Sequence, residues 1–414
     1  MKEKKLNRRR FLILSGLAAG GLAILGIFKL IKDDIFTKKD SPSKALLQSI
    51  SKGAITIDEK KSRVFLSAAQ KDMNIEEAVI KATEAATDFT WLEKGQTVFI
   101  KPALNSGYPY PSTTSPIAIA AMIKLLKQKG AGKVIVGDMS GIEHVQFFQD
   151  KTTGSTRDLM KKSGMLQAVT EAGGEPCFFE EGGWDSFYKD QTDAKGFWDN
   201  GLMMPAILND VDHIVLMPRC SRHVLSGASL GLKAVVGYWR TDTRLQYHYY
   251  AESFHERTAE GNRAKTLLDK QRLVISTGDK LLATFGPNKG YIYMPPDGLV
   301  IASESIVAHD MVSLAWLLYN RKLLPTERQD TYRDTSSTVA KLINILVVKL
   351  LSNWGKALTS ETLLKNDVKC IWDDRVLNHA YKVFGGMPNI HLENVQNTVP
   401  GKIMKKLRRM TQYS

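Results

Sequence analysis

TVFIKP at residues 97–102 and KVIVGD at residues 133–138 are the two stretches that decide the fold of this chain. Each is a short apolar run that ends in a charged residue, which is typical of a strand buried on both faces of a parallel sheet. The charged residue is Lys101 in the first run and Asp138 in the second. The two runs are therefore predicted to be neighbouring strands of one sheet.

The segment between these runs carries clear helix signals. Ser115 is a predicted N-cap, Pro116 suits the first turn, and Gly130 ends the helix. A strand, a helix and a strand at this spacing predict a right-handed parallel crossover, so both strands end at the same edge of the sheet. A third apolar run, His213–Met217, adds another strand. We predict an open, mainly parallel, Rossmann-like α/β sheet with helices on both faces.

Cationic side chains follow the predicted strand ends. Lys101 ends the first strand, Arg219, Arg222 and His223 follow the third, and Lys233 lies in the next segment. In open α/β sheets, ligands bind in the crevice beyond the carboxyl ends of the strands. A cluster of cations there predicts a pocket that holds a small carboxylate or phosphate by charge-assisted hydrogen bonds. The alternative is that each cation is a surface charge paired with an acidic residue.

His223 and Lys233 are the predicted catalytic residues. An imidazole near cations has a lowered pKa and is neutral at pH 7, so His223 suits general acid or base catalysis, although it can equally be a satisfied loop histidine. Lys233 can act as a base or form a Schiff base, whereas an ion pair with Asp138 would make it structural. Asp138 is predicted to contact the ligand, and an aspartate at a strand exit can bind a ribose, a metal or a lysine.

A second polar group comprises Arg240, Arg244, His248, His255 and Glu256. The two histidines are seven residues apart, which on one straight helix puts them on one face but two turns distant. That separation is too long for both to ligate one metal ion, unlike the i, i+4 pairing of zinc helices. We therefore predict no metal site here.

The sequence lacks several cofactor and catalytic signatures. The cysteines, Cys177, Cys220 and Cys370, lie far apart without a C-x-x-C pair, so they predict neither a zinc site, an iron–sulfur cluster nor a disulfide framework. No G-x-G-x-x-G follows the predicted strands, and there is no Walker loop and no G-x-S-x-G elbow. The sequence therefore indicates no particular resident cofactor.

Several short motifs, in this order, resemble the family called domain of unknown function 362. They are Lys101-Pro102, Ser115-Pro116, Lys129–Val134, Gly137-Asp138, Arg222-His223, Leu230–Lys233, Gly237, Phe285–Pro287, Ala308–Asp310, Asn378–Ala380 and Gly385-Gly386. The resemblance runs from about Val98 to Ile390. It implies the α/β fold, and the family name implies no reaction.

The chain departs from the family pattern in three places. The family usually has Lys-Pro-Asn, whereas here the asparagine is displaced by two residues to Asn105, which we predict to be a ligand-binding residue. Some members carry appended iron–sulfur modules, for which this chain has no cysteines. Residues 321–373 resemble a helical insertion relative to the compact family pattern, and their apolar helix from Val339 to Leu351 is interpreted as core packing or as a second membrane contact.

The amino terminus predicts export. Asn7–Leu12, with the sequence NRRRFL, stands directly before an apolar stretch that ends at Phe28, as in a twin-arginine signal of a bacterial protein. The alternative is an ordinary signal anchor whose arginines set the orientation. No good cleavage site follows, and a helix over this stretch would span roughly 27 Å, enough for a hydrocarbon core. We predict a protein in the periplasm or anchored at the extracytoplasmic face of the cytoplasmic membrane, with the twin-arginine translocation machinery and membrane lipid as partners.

The formal net charge of +14 is concentrated at the two ends of the chain. Residues 1–10 and 402–409 carry eleven lysines and arginines and one glutamate, so the part between them is close to balanced. A nucleic-acid-binding protein would show a basic face within its folded domain, and we predict none. The basic tail, 401–414, is interpreted either as a lipid-contacting segment or as a solvated last helix.

The predicted organisation is a signal or anchor at residues 1–28, a linker at 29–50, an α/β domain of the resembled family at 51–400 with its insertion at 321–373, and the basic tail. The predicted function is that of an enzyme acting on a small anionic substrate or cofactor. The alternatives are a non-catalytic protein that binds or matures a cofactor or metal, and a redox partner of a separate iron–sulfur subunit.

Overall fold

A computed structural model of the chain describes residues 44–69, 73–194, 196–223, 225–284, 286–324 and 368–413. The predicted signal, most of the linker and most of the predicted insertion lie outside the described residues. Within the described ranges, no helix is both long enough and apolar enough to cross a membrane.

The secondary structure alternates strands and helices over most of the described chain. The strands are β1 (Ile57–Ala69), β2 (Thr97–Pro102), β3 (Lys133–Asp138), β4 (Gln146–Phe147), β5 (Thr152–Thr153), β6 (Glu175–Phe178), β7 (Phe187–Asp190), β8 (Leu202–Pro205), β9 (His213–Met217), β10 (Arg219–His223), β11 (Gly227–Ser229), β12 (Gln271–Leu282), β13 (Ile292–Tyr293), β14 (Gly298–Ser303) and β15 (Met387–Asn394). The α-helices are α1 (Lys44–Ser51), α2 (Ile75–Ala86), α3 (Pro116–Gln128), α4 (Thr156–Lys162), α5 (Met165–Glu171), α6 (Ile207–Asp210), α7 (Gly231–Ala234), α8 (Thr241–Tyr249), α9 (Phe254–Gly261), α10 (Lys265–Lys270), α11 (Ile306–Arg321), α12 (Arg375–Val383) and α13 (Gly401–Thr411).

One central sheet carries the strand order β15-β1-β14-β12-β9-β2-β3-β6. Strands β12, β9, β2, β3 and β6 are parallel to their neighbours in this half of the sheet, and β15 is parallel to β1. Strand β14 runs antiparallel to both β1 and β12. The predicted α/β fold with a mainly parallel sheet is confirmed.

The predicted crossover from β2 to β3 forms as its capping residues dictate. Ser115 accepts a hydrogen bond from the backbone N–H of Ala118 and Pro116 opens helix α3. Strands β2 and β3 then pair in parallel from Thr97 with Lys133 to Ile100 with Val136. Lys101 and Asp138, near the ends of these strands, therefore lie at the same edge of the sheet.

The sheet is covered on both faces because successive strand residues point in opposite directions. Val98 and Ile100 pack with helices α2 and α3 in one hydrophobic cluster. Phe99, between them in sequence, packs on the other face in a cluster rich in aromatic residues, which includes Trp239 and Phe254. A third cluster is built around helix α11. The predicted strands are thus buried on both sides.

The basic tail forms helix α13, and its apolar side is part of the core. Ile403, Met404, Leu407 and Met410 are all buried in the cluster built around α11. The tail is therefore not a fully solvated helix, and these apolar residues are not free to contact lipid, because the protein itself covers them.

Candidate functional site

A cavity with a volume of about 170 Å³ opens beyond the carboxyl ends of β2, β3 and β9. For comparison, a buried cavity of about 150 Å³ accommodates benzene, so this one suits a small molecule. Its polar lining residues are Lys101, Asn105, Asp138, Glu143, Arg219, His223, Ser229, Lys233, Arg244 and His248. Apolar and backbone contributions come from residues such as Leu104, Met139, Leu225, Val236 and Pro287.

The deepest charges form an ion pair. Lys101 Nζ lies 3.0 Å from Asp138 Oδ1, and both side chains are almost fully buried. The Asp138 carboxylate also accepts hydrogen bonds from the backbone N–H groups of Leu104 and Met139, each at 2.8 Å. Burial lowers the pKa of Lys101, while the attraction of Asp138 opposes that effect. This pair therefore neutralises itself and joins the ends of β2 and β3.

Arg219 lies at the start of β10 and borders the cavity without a carboxylate partner among the described residues. Its Nε donates to Ser229 Oγ at 3.2 Å, and its Nη1 donates to the carbonyls of Ser112 and Pro287. Nη2 keeps two N–H groups that no described residue accepts. Burial lowers the pKa of this guanidinium to about 9. Arg219 is thus a buried cation whose Nη2 can donate hydrogen bonds to a ligand.

Arg244, on α8, stabilises the walls of the cavity. Its guanidinium donates to four backbone carbonyls, those of Trp239, Ser140, Met139 and Gly237. These bonds tie the segment after β3 to the segment after α7. Burial lowers the pKa of Arg244 to about 10, and its charge adds to the positive potential of the cavity.

Lys233 lies on the short helix α7, which borders the cavity. Its ammonium nitrogen sits over the rings of Tyr247, at 5.3 Å from the centroid, and Phe254, at 5.6 Å. No carboxylate among the described residues pairs with it. Burial, together with the positive charges of Arg219 and Arg244, lowers the pKa of Lys233 to about 7. This amine is therefore divided between its charged and neutral forms near neutral pH.

The two histidines of the cavity are held in opposite tautomers. His223 Nδ1 accepts from the backbone N–H groups of Leu225 at 3.1 Å and Ser226 at 3.3 Å, so the neutral ring carries its proton on Nε2. His248 Nδ1 lies 2.7 Å from the carbonyl oxygen of Arg244, which requires the proton on Nδ1. Burial and neighbouring cations hold the pKa of His223 well below its usual range and lower that of His248 to about 3.

The rim of the cavity is a hydrogen-bonded polar group. Asn105 Nδ2 donates to Asn288 Oδ1, and Asn288 Nδ2 donates to Glu143. Asn105 Oδ1 is buried and has no donor among the described residues. The lining contains two carboxylates, Asp138 and Glu143. Asp138 is paired with Lys101, and Glu143 is not. The rim therefore adds acceptors, Asn105 Oδ1 and the Glu143 carboxylate, to a cavity whose net charge is positive.

The structure brings together six of the seven site residues predicted from the sequence. Those lining the cavity are Lys101, Asn105, Asp138, Arg219, His223 and Lys233. Arg222 is separate: its side chain is fully buried and does not line the cavity. Residues 219–223 form strand β10, in which alternate side chains face opposite ways, so Arg222 lies with Cys220 on the side away from Arg219 and His223.

The ion pair considered for Lys233 and Asp138 does not form, because Asp138 pairs with Lys101. The sequence also divided one site into two groups. Arg244 and His248, assigned to a second group, line the same cavity as Lys233. They are four residues apart on helix α8, and this i, i+4 spacing is the signal from which a shared helix face could have been predicted.

His248 and His255 do not lie on one helix, since α8 ends at Tyr249 and α9 begins at Phe254. The seven-residue argument for a common helix face was therefore wrong. In the described part of the chain, no three His, Cys, Asp or Glu side chains are grouped closely enough to hold a metal ion.

Comparison with known proteins gives a family and several distant structural similarities. The sequence profile described as Domain of unknown function (DUF362) matches residues 98–315, more than half of the chain. No curated protein matches. The lactate racemase apoprotein from Thermoanaerobacterium thermosaccharolyticum is similar with a TM-score of 0.40 and 11% identity, covering 84% of this chain and 86% of that one. A structural-genomics target from Thermotoga maritima has a TM-score of 0.37 and 11% identity, covering 80% and 89%.

Proposed function

The chain belongs to the DUF362 family, and we propose that it binds a small anionic molecule in this cavity, where Lys233 exchanges a proton with the ligand or with a reaction intermediate. The single observation that carries the proposal is the position of Lys233. The side chain is half-buried, its ammonium nitrogen lies over two aromatic rings at the cavity together with the cations Arg219 and Arg244, and no described carboxylate pairs with it. A buried charge without a partner is costly, and an anionic ligand would remove that cost.

The hydrogen-bonding groups of the cavity support an anion over a neutral or cationic ligand. Arg219 Nη2, the Lys233 ammonium and the Nε2–H of His223 are all donors. The ion pair of Lys101 with Asp138 is neutral, so the remaining charges of Arg219, Arg244 and Lys233 outweigh that of Glu143. Carboxylate and phosphate oxygens satisfy such donors by short, charge-assisted hydrogen bonds.

The amine and the imidazoles divide the chemical roles. A general base works best when its pKa is near the working pH, which suits Lys233. His223 has its Nδ1 lone pair occupied by two backbone N–H groups, so in its neutral form it can donate through Nε2 and cannot take a proton there. We assign the proton transfer to Lys233 and ligand orientation to His223 and Arg219.

The experiment compares what the full chain carries when it is purified from its native membrane. Small molecules released on denaturation are identified by mass spectrometry for the wild type, for Lys233→Met and for the control Lys94→Met. Lys94 is an exposed lysine before β2, at the opposite end of that strand from the cavity. We expect one anionic molecule in the wild type and the control, and its loss in Lys233→Met. Equal recovery from all three proteins would contradict the proposal.

The same preparation separates an enzyme from a binding protein. If the recovered molecule is converted when excess is supplied, the chain is an enzyme, and conversion must be lost in Lys233→Met. Retention of the molecule without conversion would identify a carrier or maturation protein, and the catalytic role of Lys233 would be withdrawn.

We also propose that the chain is exported by the twin-arginine route. The support is the sequence Asn7–Leu12 before an apolar stretch. Replacing Arg8 and Arg9 together by lysine should leave the protein in the cytoplasm, as measured by cell fractionation. Unaltered localisation of the double variant would favour the ordinary signal anchor.

A further inference from the structure

A buried chain of hydrogen bonds lies beneath helix α7. Ser276 Oγ is 2.9 Å from His309 Nε2, and His309 Nδ1 is 2.8 Å from Asp310 Oδ1. The carboxylate requires the proton of His309 on Nδ1, so Nε2 accepts from the serine hydroxyl. Ser276, His309 and Asp310 are each at most 3% exposed. Ser276 therefore donates to His309, and His309 donates to Asp310.

The carboxylate at the end of this chain binds the start of helix α7. Asp310 Oδ1 accepts from the backbone N–H of Gly231 at 2.8 Å, and Oδ2 accepts from that of Leu232 at 2.7 Å. The fit is close, because a Cβ atom on Gly231 would lie 2.7 Å from Asp310 Oδ1. The residue that follows this pair of N–H groups is Lys233. The position of its backbone is therefore set by Asp310.

The arrangement has the hydrogen-bond order of a Ser-His-Asp triad, but it is not a hydrolytic site. None of its three side chains lines the cavity, and Ser276 is only 2% exposed. A nucleophilic serine must reach the substrate, and this one cannot. A different role has to account for three buried polar side chains in one ordered network.

We propose that His309 and Asp310 are positioning residues for Lys233, holding helix α7 so that the lysine amine stays between the aromatic rings and the cations of the cavity. This inference rests on the proposed role of Lys233. Asp310 supplies two charge-assisted bonds to the helix, and His309, fixed by Ser276, orients the carboxylate. In this way a network outside the cavity sets the location of a group inside it.

The other elements around Lys233 make its position measurable. Tyr247 and Phe254 contribute aromatic rings, and the titratable groups facing it are Arg219 and His223 on β10, Arg244, Tyr247 and His248 on α8, and His255 on α9. A shift of α7 would carry the amine away from its buried place and from these cations. Rehydration would then raise the pKa of Lys233 from about 7 towards the value of an ordinary lysine, near 10.5.

The test measures the titration of Lys233 directly in the full chain, after dialysis has removed any bound anion. Trace labelling with acetic anhydride over pH 6–10, read by mass spectrometry of the Lys233 peptide, gives the pH midpoint of amine reactivity. The variant Asp310→Asn places an amide N–H₂ against a backbone N–H and should raise the midpoint by more than one pH unit. The control Asp190→Asn removes another buried carboxylate that accepts from the first turn of a helix, at Thr266 of α10, and should leave the midpoint unchanged.

Gly231→Ala is a second variant that acts on the same contact and keeps the carboxylate. It should raise the midpoint in the same direction, and it decides the matter if Asp310→Asn does not fold. The inference is overturned if the folded variants keep the wild-type midpoint. Failure of the proposed function would look different: the midpoint would still move in Asp310→Asn, while the wild type would carry no anion.

Discussion

Raising the pH should weaken anion binding because it discharges Lys233. Sulfate is a suitable probe, since it stays doubly charged over the whole range. With a pKa of about 7, the lysine is largely charged at pH 6 and largely neutral at pH 8. If only the charged amine binds, the affinity for sulfate falls roughly tenfold between pH 6 and pH 8, or about 1.4 kcal/mol of binding free energy.

The other titrating groups of the cavity do not contribute in this interval. The pKa of His223 lies well below its usual range and that of His248 is about 3, so both rings stay neutral from pH 6 upwards. Arg219 keeps its charge over this interval, although burial lowers its pKa to about 9. The slope between pH 6 and pH 8 therefore reports on Lys233.

Isothermal titration calorimetry with sulfate measures both the affinity and the proton uptake. In buffers of different ionisation enthalpy, binding should take up about 0.9 proton at pH 8 and about 0.1 at pH 6, because the bound anion restores the charge of the amine. Lys233→Met should bind weakly and lose the slope. A wild-type affinity that is constant from pH 6 to pH 8, or an unchanged slope in the variant, would refute the reasoning.

Three further predictions concern stability and packing. Asp138→Ala leaves Lys101 buried without its partner and should lower the free energy of unfolding by about 3–5 kcal/mol in urea titrations; a loss below 1 kcal/mol would show that the pair is not buried as described. Gly237→Ala adds a Cβ atom against Asp138 and Lys101 and should cost about 1–3 kcal/mol, whereas Gly401→Ala, with open space around it, should cost nothing; equal thermal stability of the two would contradict this packing. The folded-state pKa of Lys233 is below its unfolded value, so the free energy of unfolding of the wild type should rise relative to that of Lys233→Met from pH 7 to pH 10. The rise is at most about 1.4 kcal/mol per pH unit. Parallel pH profiles of the two proteins in chemical denaturation would show that burial does not lower the pKa of Lys233.

The sequence was sufficient for the parallel half of the sheet because local signals and tertiary structure agree there. The apolar runs of β2, β3 and β9 are buried on both faces, and the cap at Ser115 starts helix α3 as predicted. The meeting of Lys101 with Asp138 follows from the parallel crossover alone. The antiparallel placement of β14 between β1 and β12 does not, since it depends on pairing between distant segments.

The lining of the cavity was harder to predict than the sheet. The direction of a side chain depends on the secondary structure of its segment, and a short polar segment carries no periodic pattern that indicates it. Arg219–His223 carries four polar residues and one cysteine, a composition without strand periodicity, yet it forms β10 and turns Arg222 away from the cavity. Arg244 joins the site because helix α8 brings its guanidinium to the carbonyls of Met139 and Ser140, which are more than 100 residues earlier in the chain. The contact of Asp310 with the backbone of Gly231 joins two of the motifs that carry the family resemblance, but neither motif by itself indicates that the two segments meet.

The central claim is that Arg219 and Lys233 receive an anion, and anomalous diffraction from crystals soaked in selenate tests it most directly. Selenate has the charge and shape of sulfate, and selenium is located without reference to the protein phases. We expect one strong selenium peak in the cavity of the wild type, in contact with Arg219 and Lys233, and no such peak in Lys233→Met. A cavity without selenium in the wild type, or an equal peak in the variant, would contradict it.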